Sequence, residues 1–289
     1  MKASEMVWTT VIATSLAVGS IFPLAYTFYL SLLTGSLSGQ GAIGFLNYAR
    51  MLSDPKIYWS IAISITYTVL SLITSFLLGL SSAFIITLIS RGRRLLEAVY
   101  TIPLSVSPII AGIVWSPPAV WDDVNSLIHF LLGLPFIDVT DPLIYIPIMA
   151  LAEGWLWSPL FMLGSLVVIE ELPNDCHEAA AVMGARRKDI IRFLYIPNVL
   201  RSKTMKMLLV VKTIDFFRAF EIPFAWSSWM RALESGAATD TLSLLLFKLL
   251  MTPFEQPISY IAAISIALMI LAFVAAITIY RILFRGDGA

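Results

Sequence analysis

The run Glu171–Lys203, ELPNDCHEAAAVMGARRKDIIRFLYIPNVLRSK, interrupts an otherwise apolar chain with ten charged residues. Pro173 suits the first turn of a helix, where its missing N–H costs nothing, and Asn174 and Asp175 complement the positive helix end. Glu178 through Met183 continue with good helix formers, and Gly184 is a natural left-handed stop. A second helix is expected from Arg186 to Tyr195, with Ile190, Ile191, Phe193 and Leu194 apolar among Arg186, Arg187, Lys188 and Arg192, and with Pro197 as its end. Two short helices joined at a glycine form a knob. Such a knob either lies against a bilayer as an amphipathic anchor or inserts into a groove on a soluble partner.

The flanks of this run are membrane-like. The chain of 289 residues is 58% hydrophobic and 13% charged, with a mean hydropathy of +0.86. That is half the charge of an ordinary soluble domain, which carries about 25%. A helix needs about 20 apolar residues to cross a bilayer core. Six segments qualify: 6–33, 57–90, 95–117, 142–169, 204–224 and 257–284. The third is interrupted by Pro103, Pro108 and Pro117-Pro118, the fourth carries Glu153, and the fifth is the least apolar. The reading is an all-α, six-span bundle in one transmembrane domain, with 171–200 as its loop. The first span is too long, and its basic leader too sparse, for a cleaved secretory signal.

Lys and Arg set the orientation. With the amino terminus inside, thirteen bases lie on the inner side: Lys2, Arg91, Arg93, Arg94, seven from Arg186 to Lys206, Arg281 and Arg285. The outer side has four, Arg50, Lys56, Arg231 and Lys248, and its 117–141 loop is purely acidic. Both termini are therefore expected in the cytoplasm. Nineteen basic residues cancel nineteen acidic ones, so no global charge argues for nucleic acid. One cysteine and two histidines leave little for disulfides or a metal, and Cys176-His177 reads as solvated loop. Arg91, Arg93 and Arg94 read as topology determinants.

Glu178-Ala179-Ala180, Gly184 six positions after the glutamate, and Leu194-x-Ile196-Pro197 together resemble the E-A-A loop of permease subunits of ATP-binding-cassette (ABC) importers. That family's pattern is E-A-A-x3-G-x9-I-x-L-P. The spacing matches throughout, with Leu194 and Ile196 exchanging aliphatic identities and Met183 standing where sugar permeases usually have aspartate. The outer segment FLNYARMLSDP (45–55) is similar to the G-L-x-N-Y stretch of maltose-type sugar permeases, matching at Asn47 and Tyr48. ATDTLSLLLF (238–247) is similar to their last outer segment, though the usual G-G-P is replaced by Ser235-Gly236-Ala237 nearby.

The resemblance implies the type I importer fold and a coupling loop docked on a cytoplasmic ATPase, with Glu178 at the contact and Gly184 setting the interhelix angle. It also implies a second related but distinct permease, two ATPase copies carrying ATP and Mg, an extracytoplasmic sugar-binding protein and a prokaryotic plasma membrane. No cofactor is expected on this chain, which lacks a G-x-x-x-x-G-K-[ST] phosphate loop.

Charges inside spans mark candidate pathway residues. Glu153 sits about ten residues into the fourth span, where insertion costs roughly 2.5–3.5 kcal/mol, so it must face protein or water. Trp157 and Leu160 share its helix face. Trp155 and Pro159 resemble the family's W-x-x-x-P, which by resemblance assigns Glu153, Gly154, Leu156 and Trp157 to a sugar site. A carboxylate accepts hydroxyl hydrogen bonds and an indole covers a sugar's C–H face. The structural alternative pairs Glu153 with a neighbouring helix and leaves Trp157 as packing.

In the fifth span Lys212, Asp215, Arg218 and Glu221 alternate in sign at i+3 spacing, so neighbours can pair. By resemblance Phe217, Arg218 and Glu221 occupy the family's pathway positions, while Lys212 and Asp215 serve equally well as a register-fixing ladder. The rival function is a self-sufficient secondary transporter using Glu153 or Asp215 as ion carrier. It predicts internal two-fold repeats, which the sequence does not display.

Overall fold

The computed structural model describes residues 8–11, 14–15, 17–34, 42–89, 91–117, 120–139, 141–232, 240–252 and 256–285, predominantly helical. A widened π turn, Ala17–Ile21, leads into α1 (Phe22–Leu32); a short antiparallel pair follows, β1 (Leu33–Thr34) and β2 (Ala42–Ile43). Next come α2 (Leu46–Met51), α3 (Pro55–Thr87), α4 (Arg93–Tyr100), a 3-10 turn (Ile102–Ser105), α5 (Pro108–Trp115), α6 (Trp121–Leu132) and α7 (Pro142–Glu170). The charged loop holds α8 (Asn174–Val182), α9 (Arg187–Ile190), a second π turn (Ile191–Tyr195) and α10 (Ile196–Arg201). The chain continues as α11 (Lys203–Phe217), α12 (Glu221–Ala232), α13 (Leu242–Met251) and α14 (Ile258–Phe284).

Among the described residues, α3, α7 and α14 are long and apolar enough to cross a membrane. A fourth candidate is the pair Arg93–Ser105 and Pro108–Trp115, bent by 92°. That bend is the fate of the predicted third span. The 3-10 turn stops at Ser105, Val106 is extended at ψ 132°, and Ser107, ahead of Pro108, stays extended at ψ 134° before the next helix begins.

The fifth predicted span is likewise divided. Its helix stops at Phe217 and restarts at Glu221, because a helix continuing through Pro223 would lack that N–H and clash with the Ala219 carbonyl. The first predicted span is only partly described, and Ala238, Thr239 and Ser235-Gly236-Ala237 lie outside the described residues.

The chain divides into two compact units, Met1–Trp59 with Leu242–Leu271, and Ser60–Thr241 with Ala272–Ala289. In the first, the Asn47 amide donates to Ser31 O and Leu33 O at 2.9 and 2.7 Å, satisfying carbonyls that the end of α1 leaves open. Tyr48 Oη bonds Ser31 Oγ at 2.7 Å. The Arg50 guanidinium lies 4.6 Å over the Tyr260 ring, whose hydroxyl donates to Asp54. The N-Y pair of the outer segment thus has a local structural task.

The second unit is organised around α7. Its contacts with α3 run through glycines: a Cβ on Gly154 would stand 2.2 Å from Thr74 Oγ1, and one on Gly79 would stand 2.5 Å from Ser158 O. Small residues admit such backbone approach in membranes, where packing and hydrogen bonds replace hydrophobic driving force between helices. Thr74 Oγ1 also donates to Ala150 O at 2.9 Å. Pro159 cannot bond the Trp155 carbonyl four residues back, and Ser158 Oγ donates to that carbonyl instead at 3.0 Å. Tyr145, Met149, Leu156, Ile222 and Trp226 form one buried cluster, with Tyr145 stacked on Trp226. Leu80, Phe161, Val199 and Met205 form another.

Candidate functional site

The charged loop folds as a knob. Helix α8 ends in a left-handed Gly184, φ +71°, with Ala185 N–H bonded to Ala180 O, the wrapping hydrogen bond of a Schellman motif. The Asp189 carboxylate accepts the Arg186 N–H at 3.0 Å and opens the next helix. Glu178 and Ala179 are exposed, Ala180 is half-buried, and Val182 and Met183 project with 89% and 78% of their surface free.

Pro197 does not end the second helix as expected. The π turn before it opens the backbone so that the proline ring is accommodated, and helix continues to Arg201. Leu194, Ile196 and Pro197 are half-buried at the root of the knob.

That root is seated on α3. Tyr195 stacks on Phe84 with centroids 6.4 Å apart, and His177 of α8 meets Tyr195 edge-on at 5.7 Å. Burial raises the Tyr195 phenol above its ordinary value. His177 therefore packs against its own loop. Arg93, read as a topology determinant, also ion-pairs with Glu97 at 2.7 Å and with Glu170 at the end of α7.

The second constellation lies in the middle of α7. Glu153 is 5% exposed and accepts two hydrogen bonds, Tyr67 Oη to Oε2 at 2.6 Å and Trp157 Nε1 to Oε1 at 2.8 Å. Both oxygens are thus engaged, which offsets much of the desolvation of a buried carboxyl. Lys212 of α11 places its ammonium 2.9 Å from the Trp157 ring centroid and bonds Asp215 at 2.5 Å. Lys212 is 4% exposed, while the Asp215 side chain is 53% exposed. Three helices therefore converge on one indole and one carboxyl. The arrangement can bind and orient; it holds no nucleophile–base pair, and no metal-ligating cluster occurs among the described residues.

The other candidates part company here. Gly154 is spent on the close approach to α3, and Leu156, 2% exposed, lies in the core. Phe217 is buried, whereas Arg218 and Glu221 stand exposed at the break between α11 and α12. The i+3 ladder survives as a helical pair only at Lys212–Asp215. Tyr67 was missed by the sequence reading. Its signal was a polar stripe on α3, with Ser60, Ser64, Tyr67, Ser71 and Ser75 spaced by three or four residues and all buried.

No family model matches the chain. A probable ABC transporter permease protein, y4oQ of Sinorhizobium fredii, is 28% identical over 210 residues, covering 69% of this chain and 66% of the relative. The trehalose/maltose transport system permease protein MalF of Thermococcus litoralis is 27% identical over 233 residues, covering 78% and 76%. A chain in the crystal structure of a bacterial ABC transporter that imports the acidic polysaccharide alginate matches this fold with a TM-score of 0.77. That match has 19% identity and covers 98% of this chain and 95% of that one.

In sequence and in fold the chain is similar to permease subunits of ABC importers. Its long apolar helices and those relatives support an integral membrane protein.

Proposed function

We propose that this chain is a permease that forms half of a sugar pathway through a prokaryotic plasma membrane, with six spans and both termini cytoplasmic. Its partners are a second, related permease, two copies of an ATPase that carry ATP and Mg, and an extracytoplasmic sugar-binding protein. Nucleotide-driven closure of the ATPases pushes the knob at Glu178–Gly184 and tilts the spans. The observation that carries this reading is the Gly184-hinged knob itself: its tip is exposed, and its root is stacked on α3 through Tyr195 and Phe84. The charge asymmetry of the loops supports the orientation. The trehalose/maltose and alginate systems to which the chain is similar support a saccharide cargo.

Glu153 and Trp157 are the sugar-contacting residues in this reading, with Arg218 and Glu221 lining the approach at the α11–α12 break. Gly154, Leu156 and Phe217 shape the walls through packing.

The test is reconstitution of the full importer with Glu178→Lys or Gly184→Val. Gly184→Val forces a β-branched side chain into a left-handed conformation. Both variants are expected to insert and to lose ATP-driven uptake while the ATPases still hydrolyse ATP. Undiminished uptake in both removes the coupling assignment. Uphill accumulation by the permease without any ATPase would favour the secondary-transporter reading instead.

A further inference from the structure

We infer that Lys212 is a positioning residue for the sugar site: from the buried side of α11 it pins the Trp157 indole, leaving the opposite side of the ring as the platform for a sugar. This rests on the reading of Glu153 and Trp157 as sugar-contacting. Trp157 is held at two points. Its edge is fixed by Nε1–H donating to Glu153 Oε1 at 2.8 Å, and one face is covered by the Lys212 ammonium at 2.9 Å from the ring centroid. Lys212 is 4% exposed, so the face it covers points into the protein, whereas Trp157 as a whole is only half-buried. Trp157 also packs against the core cluster that includes Tyr67 and Leu156, and the remainder of its half-buried ring is open.

A charge so deep in a span is costly unless it is partnered, and Lys212 has three partners. Asp215 takes one N–H at 2.5 Å, the Trp157 ring supplies its negative face, and the Phe216 ring lies 5.0 Å away. A cation over an indole is strongest where water is excluded, as it is here.

The Lys212–Asp215 pair lies within α11, one turn apart, and partners the charge without reaching another helix. The additional contact reaches across to α7 and fixes an aromatic ring whose plane decides how a pyranose can stack. Pre-organising that plane spares a ligand the entropy of ordering a loose indole.

The experiment uses the complete importer complex in lipid nanodiscs and measures the Kd for radiolabelled trehalose and maltose, alongside the yield of assembled complex. Lys212→Met keeps an unbranched side chain one atom shorter and removes the charge; its Kd is expected to rise about ten-fold, the scale of a desolvated cation–π contact. Lys212→Arg retains a cation over the ring and is expected within about two-fold of the parent. In a Trp157→Ala background, Lys212→Met is expected to add nothing, because Lys212 acts through the indole. An unchanged Kd in Lys212→Met, or a full additional loss in the Trp157→Ala background, overturns the proposal. Should Lys212→Met fail to assemble, Asp215→Asn on the half-exposed partner gives the same test, with about a three-fold rise expected and an unchanged Kd overturning it. Absence of binding by the parent complex, or an unchanged Kd in Trp157→Ala, instead removes the underlying sugar-site reading.

Discussion

Replacing Gly154 by alanine places a methyl carbon 2.2 Å from Thr74 Oγ1 and 2.6 Å from Thr74 Cβ. Carbon atoms in contact sit about 3.5–4.0 Å apart, so α3 and α7 must separate locally by roughly 1 Å. Overpacking of this kind costs about 1–3 kcal/mol. The Thr74-to-Ala150 hydrogen bond, 2.9 Å in the parent, spans the same contact and is lost or stretched. Such an interhelical bond adds about 0.6–1.7 kcal/mol in a membrane. The sum is roughly 1.6–4.7 kcal/mol, which for a chain of this size, with an unfolding entropy near 0.6 kcal/mol/K, lowers Tm by about 3–8 °C.

Gly164, on the same helix, provides the control. Its added Cβ would meet only the flexible tips of Met205 and Leu208, at 3.4 and 3.5 Å. Gly164→Ala should be neutral or stabilising by about 0.5–1 kcal/mol through the helix-propensity gain. Thermal denaturation of both variants in one detergent, monitored by loss of helical circular dichroism, gives the comparison. Equal Tm shifts for the two would refute the glycine-mediated approach of α3 to α7.

Two other outcomes follow from the geometry. Tyr67→Phe deletes the donor to Glu153 and leaves one buried carboxyl oxygen unmatched, at a cost of about 1–3 kcal/mol. Thermal denaturation should register the loss, with the double variant Tyr67→Phe/Glu153→Leu recovering part of it; no recovery would show that the bond is not the cause. Asn47→Leu removes both bonds to the carbonyls at the end of α1, at about 1–3 kcal/mol for each acceptor left unmatched, and should increase proteolysis in the 30–50 region. Unchanged protease resistance there would count against the capping assignment.

The long spans were legible because a hydrocarbon core demands uninterrupted apolar length, and α3, α7 and α14 supply it. Gly184 was legible because only glycine stops a helix in the left-handed region without cost. The break at residues 218–220 was obscured because Phe216, Phe217, Ala219 and Phe220 keep the apolar pattern running while a lone Pro223 disrupts the ladder. Pro197 misled in the opposite sense, since a widened turn upstream neutralised its usual effect. Glu153 announced itself by its charge, but its partners did not. Tyr67 is 86 positions away, and an isolated hydroxyl among serines gives no hint of which carboxyl it meets.

The five-residue bulge Ile191–Tyr195 has a bearing on how this chain can vary. Each residue of a helix advances the phase by about 100°, so a single deletion between Gly184 and Tyr195 would swing the tyrosine away from Phe84 and drive Pro197 into a tight turn. Substitutions along this stretch are therefore far easier to absorb than any change in its length. The interval from glycine to proline behaves as a gauge block, whose faces can be re-machined but whose thickness is set.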